Sequence, residues 1–211
     1  MFYKTFLALV ACFFFYPSKA RDITAIMGAM PEEMAAFKTM ADHRQELVVG
    51  GVHFTQGFIR NRSVVLVESG VGKVNAAMTC TLLLEHFHPS RVIFTGVAGG
   101  IGLGIHVGDI IIADSVVQHD FGTLYNHDSL SRWGAVNPID KKRNPVFFKA
   151  DSLLLQQARS GLQQLTLEPF LLGQVLQKPV IRNGIIATGD DDRLLVDGME
   201  KKLAFTEMKK K

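Results

Sequence analysis

Ile23-Thr24-Ala25-Ile26-Met27-Gly28-Ala29-Met30-Pro31-Glu32-Glu33-Met34 is an apolar run that halts at a glycine and restarts as a helix. Ile23 to Met27 reads as a short strand. Proline at position 31 suits the first helical residue, because the N–H it lacks would have no partner there and its φ is already helical. Glu32 and Glu33 then fall in the first turn, facing the positive end of the helix dipole. Taken alone, an acidic pair at a helix start only complements that dipole. A strand passing directly into a helix is nevertheless the unit from which α/β folds are built.

Outward from this segment, strands and helices alternate with no linker rich in Pro, Gly or Ser, which predicts a single α/β domain. Further strands are expected at Val52 to Ile59, Ser63 to Glu68, Val92 to Thr95, Asp109 to Gln118 and Val180 to Ala187. Helices are expected at Pro31 to His43, Lys73 to Phe87 and Asp151 to Leu165. In the helix from Lys73, Val74, Ala77, Met78, Thr81, Leu82, Leu84 and Glu85 mark a broad apolar stripe against a polar remainder. Val92-Ile93-Phe94 is a continuous apolar run, as expected of a strand covered on both faces. Between Gln118 and Val146 lies a polar stretch containing Trp133, too long for a plain connector and of a kind that usually serves function or an interface.

Two glycine-rich turns stand at strand ends, where open α/β sheets place their ligands. They are Ser69-Gly70-Val71-Gly72-Lys73, after Glu68, and Gly96-Val97-Ala98-Gly99-Gly100-Ile101-Gly102-Leu103-Gly104, after Thr95. Glycine lets backbone approach a ligand closely. Neither turn is a P-loop or a dinucleotide fingerprint, and each read alone is a tight turn.

The chain has 211 residues, 47% hydrophobic and 20% charged, enough for a substantial core and without the composition of a disordered protein. A net charge of +3 gives no electrostatic footprint for nucleic acid or an anionic membrane. Residues 1–20 read as a signal peptide, with Lys4 ahead of an apolar run from Phe6 to Tyr16 and Ser18-Lys19-Ala20 at the cleavage site. The run is shorter than the ~20 residues a membrane-spanning helix needs. Leu9-Val10-Ala11-Cys12 also resembles a lipoprotein box, followed by an unsuitable aromatic run. Cleavage after Ala20 leaves Cys80 without an intrachain partner, and its helix position suggests a small buried hydrophobe.

The motifs Gly28-Ala29-Met30-x-Glu32-Glu33, Ser69-Gly70-Val71-Gly72-Lys73-Val74, Thr95-Gly96-Val97-Ala98-Gly99-Gly100, Val107-Gly108-Asp109-Ile110, His119-Asp120, Phe148-Lys149-Ala150-Asp151 and Thr188-Gly189-Asp190 follow one another in order. This series resembles the 5′-methylthioadenosine/S-adenosylhomocysteine nucleosidases within the purine nucleoside phosphorylase superfamily. It spans about Ile23 to Asp190. The resemblance implies a three-layer α/β fold with a mixed central sheet flanked by helices, over residues 21–190. It implies hydrolysis of a purine nucleoside such as methylthioadenosine or S-adenosylhomocysteine, with neither cofactor nor metal. Glu33 would be the catalytic residue that positions and deprotonates the attacking water, and Met30, Val71, Ala98, Gly99 and Asp190 would bind substrate. A base at a helix start has its pKa lowered by the dipole, so burial would have to push it back up. Val97 stands where bacterial relatives often carry a small hydroxyl residue.

A nucleoside phosphorylase is the close alternative, differing in its nucleophile. Phosphate would need basic side chains and free N–H groups, and two glutamates would repel it. After Asp190 the sequence departs from the family, which continues with a purine-stacking aromatic, a Glu-Met-Glu ribose motif and a strand bearing an Arg and an Asp. Here Asp191-Asp192-Arg193 follows, and residues 191–211 read as a divergent tail. The expectation is therefore a fold lacking its last strand-helix units and an activity impaired by the missing acid, with a secreted, inactive nucleoside-binding protein as the alternative. Periplasmic or secreted localisation, a homodimer formed through the loop from His119 to Trp133, and no nucleic-acid or stable membrane partner complete the reading.

Overall fold

Ala25, Ile26 and Met27 are buried in the middle of strand β1 (Thr24–Gly28), a placement available to a strand with neighbours on both edges and helices on both faces. The computed structural model describes residues 22–102, 104–125 and 129–189, and the chain divides into two compact units whose boundary in the sequence falls between Val97 and Ala98.

In the first unit β1 pairs in parallel with β4 (Arg62–Glu68) on one side and β5 (Arg91–Phe94) on the other. Strands β2 (Asp42–Val49) and β3 (Val52–Ile59) extend it antiparallel, giving a five-stranded mixed sheet in the order β2-β3-β4-β1-β5. Helix α1 (Pro31–Met40) covers one face and helix α2 (Lys73–Phe87) the other. The period of two along β4 sorts the core. Val64 and Leu66 pack with Met34 and Ala41 on the α1 side, while Val65 and Val67 pack with Leu83, Phe87 and Phe54 on the α2 side. Each such fully buried side chain contributes about 1.5–3 kcal/mol through the hydrophobic effect. This unit thus has the expected three layers.

Several expectations need correction. Helix α1 stops at Met40, short of His43, because Ala41 is already extended (φ −79°, ψ 125°) and the chain turns directly into β2. Strand β2 escapes a sequence reading because Asp42 to Glu46 carries no apolar alternation, and the strand, at the sheet edge, is exposed almost throughout. Helix α2 has the expected limits but presents a different face. Its inner side is Ala76, Thr79, Cys80, Leu82, Leu83 and Phe87, so of the expected stripe Leu82 packs inward, while Val74 and Met78 are exposed, at 82% and 50%. Apolar residues occur all round this helix, so periodicity could not select the buried stripe. Cys80 is partly rather than fully buried. Strand β5 is an edge strand of its sheet, and Ile93 and Phe94 are exposed rather than covered.

The second unit centres on a three-stranded sheet in which β6 (Ile110–Gln118) pairs in parallel with β12 (Ile181–Thr188) and antiparallel with β9 (Phe147–Lys149). Two hairpins accompany it, β7 (Gly122–Tyr125) with β8 (Ser129–Arg132) and β10 (Phe170–Leu172) with β11 (Val175–Gln177). Helix α3 (Ser152–Leu162) begins at an Asp151 N-cap whose Oδ1 accepts the Leu154 N–H at 2.9 Å, and it ends before the expected Leu165. The long polar stretch is organised around Trp133, whose Nε1 donates to Thr123 Oγ1 at 2.9 Å and whose ring meets Phe121 edge-on and carries the Arg143 guanidinium. Among the described residues no helix is long and apolar enough to cross a membrane, and the proposed signal peptide and residues 191–211 lie outside them.

Candidate active site

Three connections converge at the carboxyl end of β1. Ser69 donates its N–H (2.8 Å) and its hydroxyl (3.3 Å) to the Gly28 carbonyl, which ties the turn after β4 to the turn after β1. On the other side the Thr95 N–H donates to the Met27 carbonyl at 2.9 Å and brings in the turn after β5. Carboxyl ends of parallel strands are where α/β sheets open a ligand crevice. Gly70 (φ 73°) and Gly72 (φ 108°) adopt left-handed backbone that strains other residues, which explains the glycines on either side of Val71.

Glu33 is the third residue of α1, and its carboxylate serves two segments. Oε2 accepts the N–H groups of Ala29 (2.7 Å) and Met30 (3.0 Å), capping its own helix. Oε1 reaches across to accept the Val97 N–H at 2.9 Å, on the turn after β5. Partial burial acts to raise the Glu33 pKa, but the N–H groups of Val97, Met30 and Ala29 outweigh it, and the net direction is below the ordinary glutamate value. The upward push of burial is therefore present but overbalanced by these donors together. Three donors aimed at the ionised form decide the outcome, and Glu33 is a carboxylate at neutral pH. Each of its oxygens has two lone-pair directions, and Oε1 receives one backbone donor where Oε2 receives two.

Met30, as N-cap of α1, stands directly beside this carboxylate and donates to it. Val71 is 71% exposed at the tip of its turn, and its carbonyl accepts from the Asn75 side chain at 2.8 Å. Ala98 and Gly99 belong to the second unit, where both are exposed, and Asp190 lies outside the described residues. Glu32, the other member of the acidic pair, is exposed. Val97 stands out in the sequence for a missing hydroxyl, whereas the group that reaches Glu33 is its main-chain N–H. Among the described residues no group of three or more His, Cys, Asp or Glu side chains could hold a metal ion.

The chain is similar to known proteins in both sequence and fold. The 5′-methylthioadenosine/S-adenosylhomocysteine nucleosidase of Geobacillus thermodenitrificans is 39% identical over 171 residues, covering 79% of this chain and 62% of that relative. The present chain thus spans less than two thirds of the length of that relative. The solved Streptococcus pneumoniae nucleosidase bound to a transition-state inhibitor matches with a TM-score of 0.63 at 31% identity, over 85% of this chain and 72% of that one. The Colwellia psychrerythraea nucleosidase in complex with adenine matches with a TM-score of 0.65 at 30% identity, over 81% and 63%. The sequence profile of the phosphorylase superfamily covers residues 23–191, taking in β1, both glycine turns and Glu33. With most of its length inside that profile, the chain belongs to the phosphorylase superfamily.

Proposed function

We propose that the protein hydrolyses the N-glycosidic bond of a purine nucleoside, with methylthioadenosine and S-adenosylhomocysteine as the substrates named for its relatives. The observation that carries this reading is the Glu33 carboxylate, ionised and fixed by donors from two segments at the carboxyl ends of β1 and β5. As the bond from sugar to purine lengthens, positive charge develops on the anomeric carbon, and a preorganised carboxylate stabilises it without reorganising. The same carboxylate orients a water through the lone pair of Oε1 that the Val97 N–H does not use. A base of lowered pKa suffices for this step, because water becomes strongly acidic once its oxygen bonds to the cationic carbon and its proton then passes to Glu33, while the purine leaves with the electron pair of the broken bond and takes a proton from solvent. Met30, Val71, Ala98, Gly99 and Asp190 are proposed to contact the nucleoside.

Water is favoured over phosphate as nucleophile on the same ground. The N–H groups of Ala29, Met30 and Val97 that could receive an anion already hold the chain's own carboxylate, which would repel a phosphate. The reading extends to a homodimer and to the periplasm or secretion, which sedimentation and cell fractionation test.

Adenine release from methylthioadenosine, followed in buffer with and without phosphate, tests the reaction. Equal release in both is expected. Release that depends on phosphate would make the protein a phosphorylase, and binding without release would leave a nucleoside-binding protein.

A further inference from the structure

Gly96 stands closer to the candidate carboxylate than any side chain could. A Cβ built there would lie 2.9 Å from Glu33 Oε1, 3.2 Å from its Cδ and 3.3 Å from Oε2. Real Cβ atoms essentially never approach a neighbour within 3.0 Å, so one partner would have to move. Gly96 is not among the residues with positive φ, and alanine fits its backbone. What a side chain there would meet is the Glu33 carboxylate, the far end of a flexible side chain that would have to give way. Other glycines of the first unit meet different neighbours, Gly28 facing the Met34 thioether and Gly57 the Asp42 carbonyl.

We propose that Gly96 is a positioning residue for Glu33: its bare Cα allows the carboxylate to lie against the turn after β5 and to accept the Val97 N–H. The proposal rests on the hydrolytic role assigned to Glu33 and adds to it a division of labour between the two oxygens. Oε2 caps α1 through Ala29 and Met30, contacts within its own segment that survive a small rotation of the side chain. Among the described residues Oε1 has one distant donor, Val97, and that contact is lost first when the carboxylate is displaced. A methyl group at position 96 therefore leaves Glu33 as a helix cap and removes it from the site.

Gly96→Ala is compared with the parent protein by 13C NMR titration of the Glu33 carboxyl and by steady-state hydrolysis of methylthioadenosine. The expected results are an upward shift of the Glu33 titration midpoint, since a donor to the ionised form is gone, and a fall in kcat of about tenfold, less than the roughly hundredfold that a 1 Å displacement costs, with KM nearly unchanged. An unaltered midpoint together with kcat within about twofold of the parent would overturn the proposal. The titration needs no turnover, so an inactive parent protein would defeat the hydrolytic reading while the midpoint shift still judged the positioning. Should Gly96→Ala unfold the protein, Gly96→Ala/Glu33→Ala must fold again, because removing the carboxylate removes the collision. A double variant that stays unfolded would locate the fault in the backbone and overturn the proposal.

Discussion

In the first unit Phe54, Met34, Leu66 and Leu83 are wholly withdrawn from solvent, whereas in the second Val117 is the only apolar side chain among the described residues buried to a comparable degree. The second unit instead exposes Leu171, Leu172, Val175 and Leu176 along the β10–β11 hairpin. The physical difference lies in layering. Parallel β1 has strands on both edges and helices on both faces, while in the three-stranded sheet of β12, β6 and β9 nearly every side chain is exposed or only partly buried. The candidate carboxylate stands on the deeply packed unit. That location suits a group that must hold its position to within about half an ångström to act.

Core truncations give the sharpest contrast. Phe54→Ala should destabilise by about 3–5 kcal/mol, from lost burial and the cavity left behind. Val117→Ala, removing fewer buried carbons from the second unit, should cost about 1–2 kcal/mol. Urea unfolding of both variants measures the difference, and equal costs would erase the distinction between the units. Hydrogen exchange sharpens it further: amides of β1 and β4 should open only at the free energy of global unfolding, and those of β10 and β11 well below it.

A smaller effect concerns Asp109, which fastens the start of β12 to the loop before β6. Its carboxylate accepts the His106 N–H at 3.1 Å and the Val180 N–H at 2.9 Å, with Arg182 at 3.6 Å and its side chain only 1% exposed. The backbone donors His106 and Val180, helped by Arg182, hold its pKa below the ordinary 3.8 against the opposing effect of burial. A carboxylate depressed in the folded state stabilises it above the unfolded pKa and loses that contribution as pH falls through the folded value. The second unit should therefore loosen in strong acid, below pH 3.8, and Asp109→Asn should be less stable at neutral pH with a shallower acid decline. Thermal melts across pH, read from Trp133 fluorescence, check both. The smallest effect is a gain. Gly161→Ala, within α3 and with open space at the Cβ position, should stabilise by about 0.5–1 kcal/mol in the same melts.

What the sequence disclosed and what it hid divide along the same physical lines. The strand-to-helix passage at Gly28–Pro31 and the limits of α2 were legible because local chemistry sets them: a glycine turn, a proline at a first helical position, an unbroken helical run. The buried face of α2 was not, since Val74 and Met78 are as apolar as Cys80 and Leu83, and only the sheet decides which side turns inward. Strand β2 was hidden because an exposed edge strand is held by backbone pairing, which leaves no apolar alternation. In the candidate site, Glu33 and the two glycine turns were legible through motif order. The Val97 N–H was not, because a main-chain donor has no residue-type signature; the bare Gly96 before it was the available hint.

The most direct measurement is adenine release from methylthioadenosine by the protein and by Glu33→Gln, in phosphate-free buffer, with circular dichroism confirming that both are folded. Glutamine keeps the shape of the side chain and removes its charge and its basicity, so the expected result is turnover by the parent and a loss on the order of a hundredfold to ten-thousandfold in the variant. Equal release by the two folded proteins would contradict a hydrolytic role for the carboxylate.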